Sequence, residues 1–224
     1  LYYRRMGRFA EAERLFLDCI AWAEKNKKKK EAIYPITLLN LGVLYNDRPN
    51  YDYDKAESYL KKSIEALESD KSAVEIEKND SKNYDYSSHY INLGGCYLNR
   101  GNLDKAEQFV LKGLRLLENR YRKNKAVFDA GHVFYDSWVI LGMIYQAKKQ
   151  YEIAEQYLLK AHATQRDNAL TNTRATYALC QLYVGMGRYA EAEKYFVTAT
   201  QNTAKFIGTN FPFLSEKEKS DFLQ

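Results

Sequence analysis

Apolar residues recur along this chain at helical spacing, with polar residues filling the intervals. Leu38, Leu41, Gly42 and Tyr45 stand at i, i+3, i+4 and i+7, one stripe of a helix. The stripe in "LLNLGVLY" returns in "YINLGGCY", "WVILGMIY" and "YALCQLYV". Each is followed by a second apolar pattern built around an alanine: "YDYDKAESYLKKSI", "GNLDKAEQFVLKGL", "KQYEIAEQYLLKAH" and "MGRYAEAEKYFVTAT". A fifth copy of the second pattern, "MGRFAEAERLFLDCI", stands near the start. No stretch alternates with the period of two that a strand needs, so the chain is read as all-α. At least nine helices are expected, one from a first, partial pair and two from each of four more.

The fixed order of a small-residue helix and an aromatic-and-alanine helix marks an array of helical repeats. Gly42, Gly94 and Gly142 have no side chain, so a neighbouring helix can approach there, with Cys180 the nearest substitute. Ala56, Ala106, Ala154 and Ala192 serve the same purpose from the second helix. Phe16, Tyr59, Phe109, Tyr157 and Phe196 are expected to fill the space between layers. Short turns at Gly7, Asn50, Gly101, Lys149 and Gly187 make each pair antiparallel.

This pattern, LG-x2-Y followed by G-x-[YL]-x2-A-x3-[YF], resembles the tetratricopeptide repeat. The resemblance covers roughly residues 1–200 and implies a right-handed superhelical solenoid of antiparallel helix pairs. Successive alanines from Ala12 to Ala192 are 44, 50, 48 and 38 residues apart, where the standard repeat has 34. The spacing is similar to the longer variant found in kinesin light chains and many bacterial multi-repeat proteins. The extra residues fall mainly in 65–88 and 118–137, read as extended helices plus longer loops. One solenoid is expected over 1–206, as a half repeat 1–30 and repeats at about 31–80, 83–124, 130–166 and 170–206. Residues 207–224 are read as a linker, broken by Pro212, and the start of a further helix capped by Ser215 and Glu218. The chain begins inside what should be the end of a first helix. Its tail, "FIGTNFPFLSEKEKSDFLQ", resembles the joint before the caspase-like CHAT domain of bacterial repeat–peptidase proteins.

Composition narrows the function. The 224 residues are 46% apolar with a net charge of +5, enough to bury a core and too modest a charge for a nucleic-acid groove. The basic run at Lys25 to Lys30 is read as a solvated turn near a helix C-terminus. Twenty tyrosines suit rings that pack between helices while their hydroxyls reach water. No run of 18 apolar residues is present, so no membrane span is expected. Cys19, Cys96 and Cys180 form no CxxC pair and are read as core filler, neither a disulfide scaffold nor a metal site; unpaired cysteines point to a cytoplasmic location. His89 and Cys96 lie about 10 Å apart along one helix, too far for a catalytic dyad. No catalytic residue and no cofactor are expected.

What remains is a binding surface. The resemblance implies that the first helix of each pair lines a concave groove. The groove is assigned to Ile36, Leu39, Asn40, Val43 and Asn46; to Ser88, Ile91, Asn92 and Asn99; to Asp136, Val139, Met143 and Gln146; and to Arg174, Tyr177 and Gln181, with Val184 beside them. In the longer-repeat family an asparagine at the place of Asn40 and Asn92 holds the backbone of an extended peptide; a bridge to the next repeat would use the same residue. The Lys and Arg that clamp a carboxylate in chaperone-tail binders of the family are missing. The expected partner is a protein or peptide segment with apolar anchors, bound without nucleic acid, its capture serving to regulate a downstream domain. The alternative is a non-catalytic sensing or scaffold part of a CHAT-type peptidase. Self-association through exposed solenoid ends is also expected.

Overall fold

The structure, a computed structural model, describes residues 9–29, 31–47, 52–69, 86–164 and 169–210. All regular structure among the described residues is helical, with no strand among them. Ten α-helices lie among the described residues: α1 Phe9–Lys25, α2 Ile33–Asp47, α3 Tyr53–Glu68, α4 Ser87–Asn99, α5 Leu103–Tyr121, α6 Lys125–Ala130, α7 Tyr135–Ala147, α8 Tyr151–Ala163, α9 Ala169–Gly185 and α10 Tyr189–Asn210. A single 3₁₀ turn, His132–Phe134, leads into α7. The extra length between the third and fourth repeats is thus an extended α5, the short α6 and this turn. The last helix runs beyond 206 to Asn210. The long segment 70–85 and the tail from Phe211, with its CHAT-like "LSE", lie outside the described residues, as do Gly7 and Asn50.

The chain forms two compact units that divide within α5, after Leu116. In the first, α2 pairs with α3, α1 packs on α2, and α4 packs on α2 and α3. In the second, α7 pairs with α8 and α9 with α10, and α9 also packs on α7 and α8.

Pairing within each repeat follows the small residues. A Cβ placed on Gly42 would lie 2.6 Å from Leu60 Cγ, one on Gly94 2.4 Å from Val110 Cγ2, and one on Gly142 2.5 Å from Leu158 Cδ2. Gly113 makes the reciprocal approach, with Ile91 Cγ1 at 2.6 Å. Residue numbers rise on α4 as they fall on α5 through the contacts Ile91–Gly113, Gly94–Val110 and Tyr97–Phe109, so the pair is antiparallel. The turn residues Gly101 and Gly187 take φ of +78° and +72°, and Lys149 does the same work at +60°. Side chains start the second helices: Asp52 accepts from the Lys55 amide at 3.1 Å and Asn102 from Lys105 at 3.2 Å.

The aromatics stack within repeats, each first-helix tyrosine against a ring three residues past the repeat alanine. The pairs are Tyr45–Tyr59, Tyr97–Phe109, Tyr145–Tyr157 and Tyr183–Tyr195. Tyr195, and not Phe196, is therefore the interlayer ring of the last repeat. Phe196 stands one residue further round and is 52% exposed.

Between repeats, hydrogen bonds join the helices beside apolar packing. Each repeat alanine is followed by a glutamate, and in three joints that glutamate accepts from the tyrosine hydroxyl of the next first helix: Tyr45 to Glu13, Tyr97 to Glu57 at 2.8 Å and Tyr183 to Glu155 at 2.7 Å. Near the other ends of the helices Tyr34 donates to Glu24 at 3.0 Å and Tyr90 to Glu68 at 2.6 Å. Seven residues past the alanine a small side chain meets the next first helix. Cys19 Sγ lies 3.5 Å from Thr37 Oγ1, Ser63 Oγ bonds His89 Nδ1, and Ala161 packs with Ala175.

Candidate functional site

Burial sorts the residues assigned to the groove. On α2, Ile36 is exposed and Leu39, Asn40, Val43 and Asn46 are half-buried. On α4, Asn99 is exposed and Ser88 and Asn92 are half-buried. On α7, Asp136 is exposed and Met143 and Gln146 are half-buried, while α9 exposes Arg174, Tyr177, Gln181 and Val184. Two assignments are corrected. Ile91 is buried against Gly113 of α5, and Val139 is buried in a cluster with Tyr135, Ala161 and Ala175. Both point between helices and offer no surface to a ligand. Met143 is divided, since it also packs against that cluster and against the one around Leu179 and Leu182.

The structure brings the amides of the first unit into contact with one another and with the backbone. Asn99 Nδ2 donates to Asn46 Oδ1 at 3.0 Å, linking α4 to α2. Asn92 Nδ2 donates to the Ser88 carbonyl at 2.7 Å, one turn back on its own helix. One of its two N–H groups is thus committed locally.

The charges lie elsewhere. Asp47, at its last residue, is the only formally charged side chain of α2, and α4 has none apart from the buried His89. Ion pairs gather on the second helices and turns. Arg100 meets Asp54 at 2.8 Å and Glu57 at 2.9 Å, and Arg188 meets Glu191 at 2.8 Å and Glu155 at 3.1 Å. Burial acts to raise the Glu57 carboxyl, but hydrogen bonds from Lys61 and Tyr97 and the charge of Arg100 outweigh it and hold the group below its ordinary range. Lysines also cover the tyrosine rings, Lys112 over Tyr90 at 4.1 Å and Lys105 over Tyr97 at 5.2 Å. In the basic run, Lys29 pairs with Glu24 at 3.0 Å and Lys28 with Glu31.

The groups with nucleophilic or basic chemistry are shut in. Burial, helped by the Glu57 charge, pushes the Cys96 thiol up to about 11. His89 is 1% exposed, and burial lowers it to about 4. Neither can reach a substrate in this fold. No helix among the described residues is long and apolar enough to cross a membrane.

Sequence reasoning missed the tyrosine–glutamate joints, though their signal was present in the Ala-Glu doublet of every repeat and the tyrosine three residues after each glycine.

Comparison with known proteins agrees with this architecture. Residues 89–119, 135–168 and 173–205 match one family model described as the tetratricopeptide repeat, and residues 1–25 match a second of the same description. Among solved structures, that of MamA is similar at 20% identity, with 92% of this chain and 95% of that one covered and a TM-score of 0.52. A putative kinesin light chain from Podosopora anserina with nearly identical TPR-like repeats is similar at 19% identity, with 92% of each chain covered and a TM-score of 0.53. At such identities the likeness speaks for the fold alone. Against curated proteins the sequence finds no match.

Proposed function

Because the chain belongs to the tetratricopeptide repeat family, a family of protein-interaction scaffolds, we propose that it captures a peptide or protein segment on the faces of its first helices. The observation that carries this reading is the division of labour between the two helices of a repeat. Second helices and turns hold the ion pairs and tyrosine joints. The first helices leave outward a set of neutral side chains: Ile36, Leu39, Asn40, Val43 and Asn46 on α2, and Ser88, Asn92 and Asn99 on α4. A surface of apolar and amide groups suits a segment with apolar anchors and a few hydrogen bonds. Asp136, Arg174, Tyr177 and Gln181 add a more polar set in the second unit. Such a module acts by binding rather than by chemistry, and any control of a downstream domain would run through that capture. The reading as a sensing part of a CHAT-type peptidase rests on the tail, and no observation on the described residues favours it.

The test is a screen of the whole chain against a library of randomised peptides, followed by affinity measurements at low and moderate salt. Ile36→Asp should weaken peptides taken by the first unit about tenfold or more, and Tyr177→Asp those taken by the second, both at exposed positions and without changing the helical circular dichroism. Affinity should change little with salt, since few charges face the ligand. Peptides whose binding collapses with salt and ignores both substitutions would place recognition on the charged outer faces instead.

A further inference from the structure

The turn between α1 and α2 holds the basic run that peptide capture leaves unused. Lys25, Lys27, Lys28 and Lys29 are all exposed there. The turn itself is well held. Lys27 takes a left-handed φ of +57°. The Asn26 amide and side chain both donate to the Trp22 carbonyl, at 3.0 and 2.7 Å, and the Lys28 amide donates to the Ala23 carbonyl at 2.7 Å. Lys29 meets Glu24 at 3.0 Å and Lys28 meets Glu31, but both pairs are solvent-exposed, and such pairs hold weakly. Lys25 and Lys27 have no ion-pair partner among the described residues. A helix C-terminus favours a cation, which accounts for Lys25 and not for the three that follow. Large apolar side chains flank the run. Trp22, in the last turn of α1, is 52% exposed, and Ile33, the first residue of α2, is 44% exposed. The contacts Tyr45–Glu13, Cys19–Thr37 and Tyr34–Glu24 make α1 and α2 antiparallel, so both side chains lie at the end of the pair where the lysines stand. Ten residues past the repeat alanine, the other second helices carry Ala66, Leu116, Thr164 and Asn202 in place of this indole.

We propose that the α1–α2 turn is an attachment point for a membrane surface rich in anionic phospholipid. This attachment stands apart from peptide capture and does not depend on it. Lysine ammonium groups are compact point charges, suited to a surface of many phosphates without fixed geometry, and each adds to the attraction of an anionic leaflet. Trp22 and Ile33 enter the boundary between headgroups and acyl chains, where an indole lays its ring in the apolar layer and keeps its N–H towards water. Binding of this kind grows with the apolar area buried and with the attraction to anionic lipid, and the turn supplies both at one end of one helix pair. A nucleic-acid strand fits less well. It would want aromatic rings interleaved among the cations to stack its bases, whereas here one ring precedes the run and Ile33 offers a base no face. An acidic peptide would satisfy the lysines without giving Trp22 and Ile33 an apolar layer to enter.

The experiment is flotation of the whole chain with vesicles of phosphatidylcholine, alone or with about a third of the lipid replaced by phosphatidylserine. The chain should partition onto the anionic vesicles about tenfold or more in preference to the neutral ones, and added salt should weaken that preference. Lys25→Gln/Lys27→Gln should lower the partition about tenfold with the helical circular dichroism unchanged. Tryptophan fluorescence should shift to the blue on anionic vesicles, and the shift should be absent in Trp22→Phe, which keeps Trp138. Adsorption through charge alone would not produce it. Equal partition onto both kinds of vesicle, or equal partition of the wild type and the lysine variant onto anionic ones, would overturn the assignment. A blue shift that is missing, or that persists in Trp22→Phe, would overturn the entry of Trp22 into the bilayer. A chain that ignores both vesicles yet binds polyglutamate or a single-stranded oligonucleotide through the same lysines would also overturn it, and would make the turn a site for an acidic protein or a nucleic acid.

Discussion

The joint between α3 and α4 should make the protein acid-sensitive in a window set by one histidine. His89 lies buried with its Nδ1 on Ser63 Oγ, and burial holds it at about 4 against an ordinary value of 6.5. Between those two values the unfolded chain binds a proton that the folded chain refuses. Stability therefore rises with pH across this window. The contribution is intact above pH 6.5, falls as the pH drops, and is fully lost near pH 4. A difference of about two and a half pH units, at about 1.4 kcal/mol each, is worth about 3 kcal/mol. Urea denaturation followed by far-ultraviolet circular dichroism, at half-unit steps from pH 7.5 to 4, measures it. Carboxylates titrate in the same range, so the reference is the double variant Ser63→Ala/His89→Leu, which keeps them and removes the histidine. It swaps the polar pair for an apolar joint of the kind that Ala161 and Ala175 already make. The difference between wild type and variant should be flat above pH 7 and shrink by about 3 kcal/mol towards pH 4. Parallel profiles would refute the reasoning, because they would mean that His89 takes up its proton in the fold at no cost.

Two further outcomes test the packing. Gly94→Ala should destabilise by roughly 1–3 kcal/mol, since its Cβ would meet Val110 Cγ2 at 2.4 Å and the Ala106 carbonyl at 2.9 Å; an unchanged urea midpoint would put this glycine on the surface. Leu158→Ala should cost about 2–5 kcal/mol while Phe196→Ala, at the equivalent place in the last repeat, stays within about 0.5 kcal/mol, because the first is fully buried and the second half open. Equal losses at the two positions in thermal melts would overturn that contrast.

How much of this was legible depended on what each residue type can do. Gly42, Gly94 and Gly142 announced their contacts, because an apolar helical stripe interrupted at one fixed place leaves few uses for a missing side chain. Phe196 was misread because helical periodicity locates a face only to about one residue, or 100° of rotation, and Tyr195 and Phe196 are adjacent aromatics. Leu39, Ile91, Val139 and Tyr177 show a deeper limit. They hold equivalent places at the edge of the stripe, yet Ile91 and Val139 are buried and Tyr177 is exposed. Burial at an edge position depends on what the neighbouring helices bring, which no single repeat encodes. The asparagines were legible as candidates only by type. Nothing in the sequence says that Asn92 spends a donor on its own helix while Asn99 reaches across to Asn46.

The tyrosine–glutamate joints gather charge on the second helices of the repeats. A hydroxyl donating to a carboxylate makes a charge-assisted bond, stronger than a neutral one, and the same glutamates take up Arg100, Arg188 and Lys61. The helices that carry these glutamates, α1, α3 and α8, are the second helices of their repeats. Only the hydroxyl tip of each first-helix tyrosine joins the network, and it does so through the face turned to the preceding repeat. Contact between repeats thus combines these charged bonds with the apolar clusters that span neighbouring helices. Asn99 adds a neutral bond across the same joint to Asn46, and Tyr97 and Glu57 must change together if the charged bond is to survive.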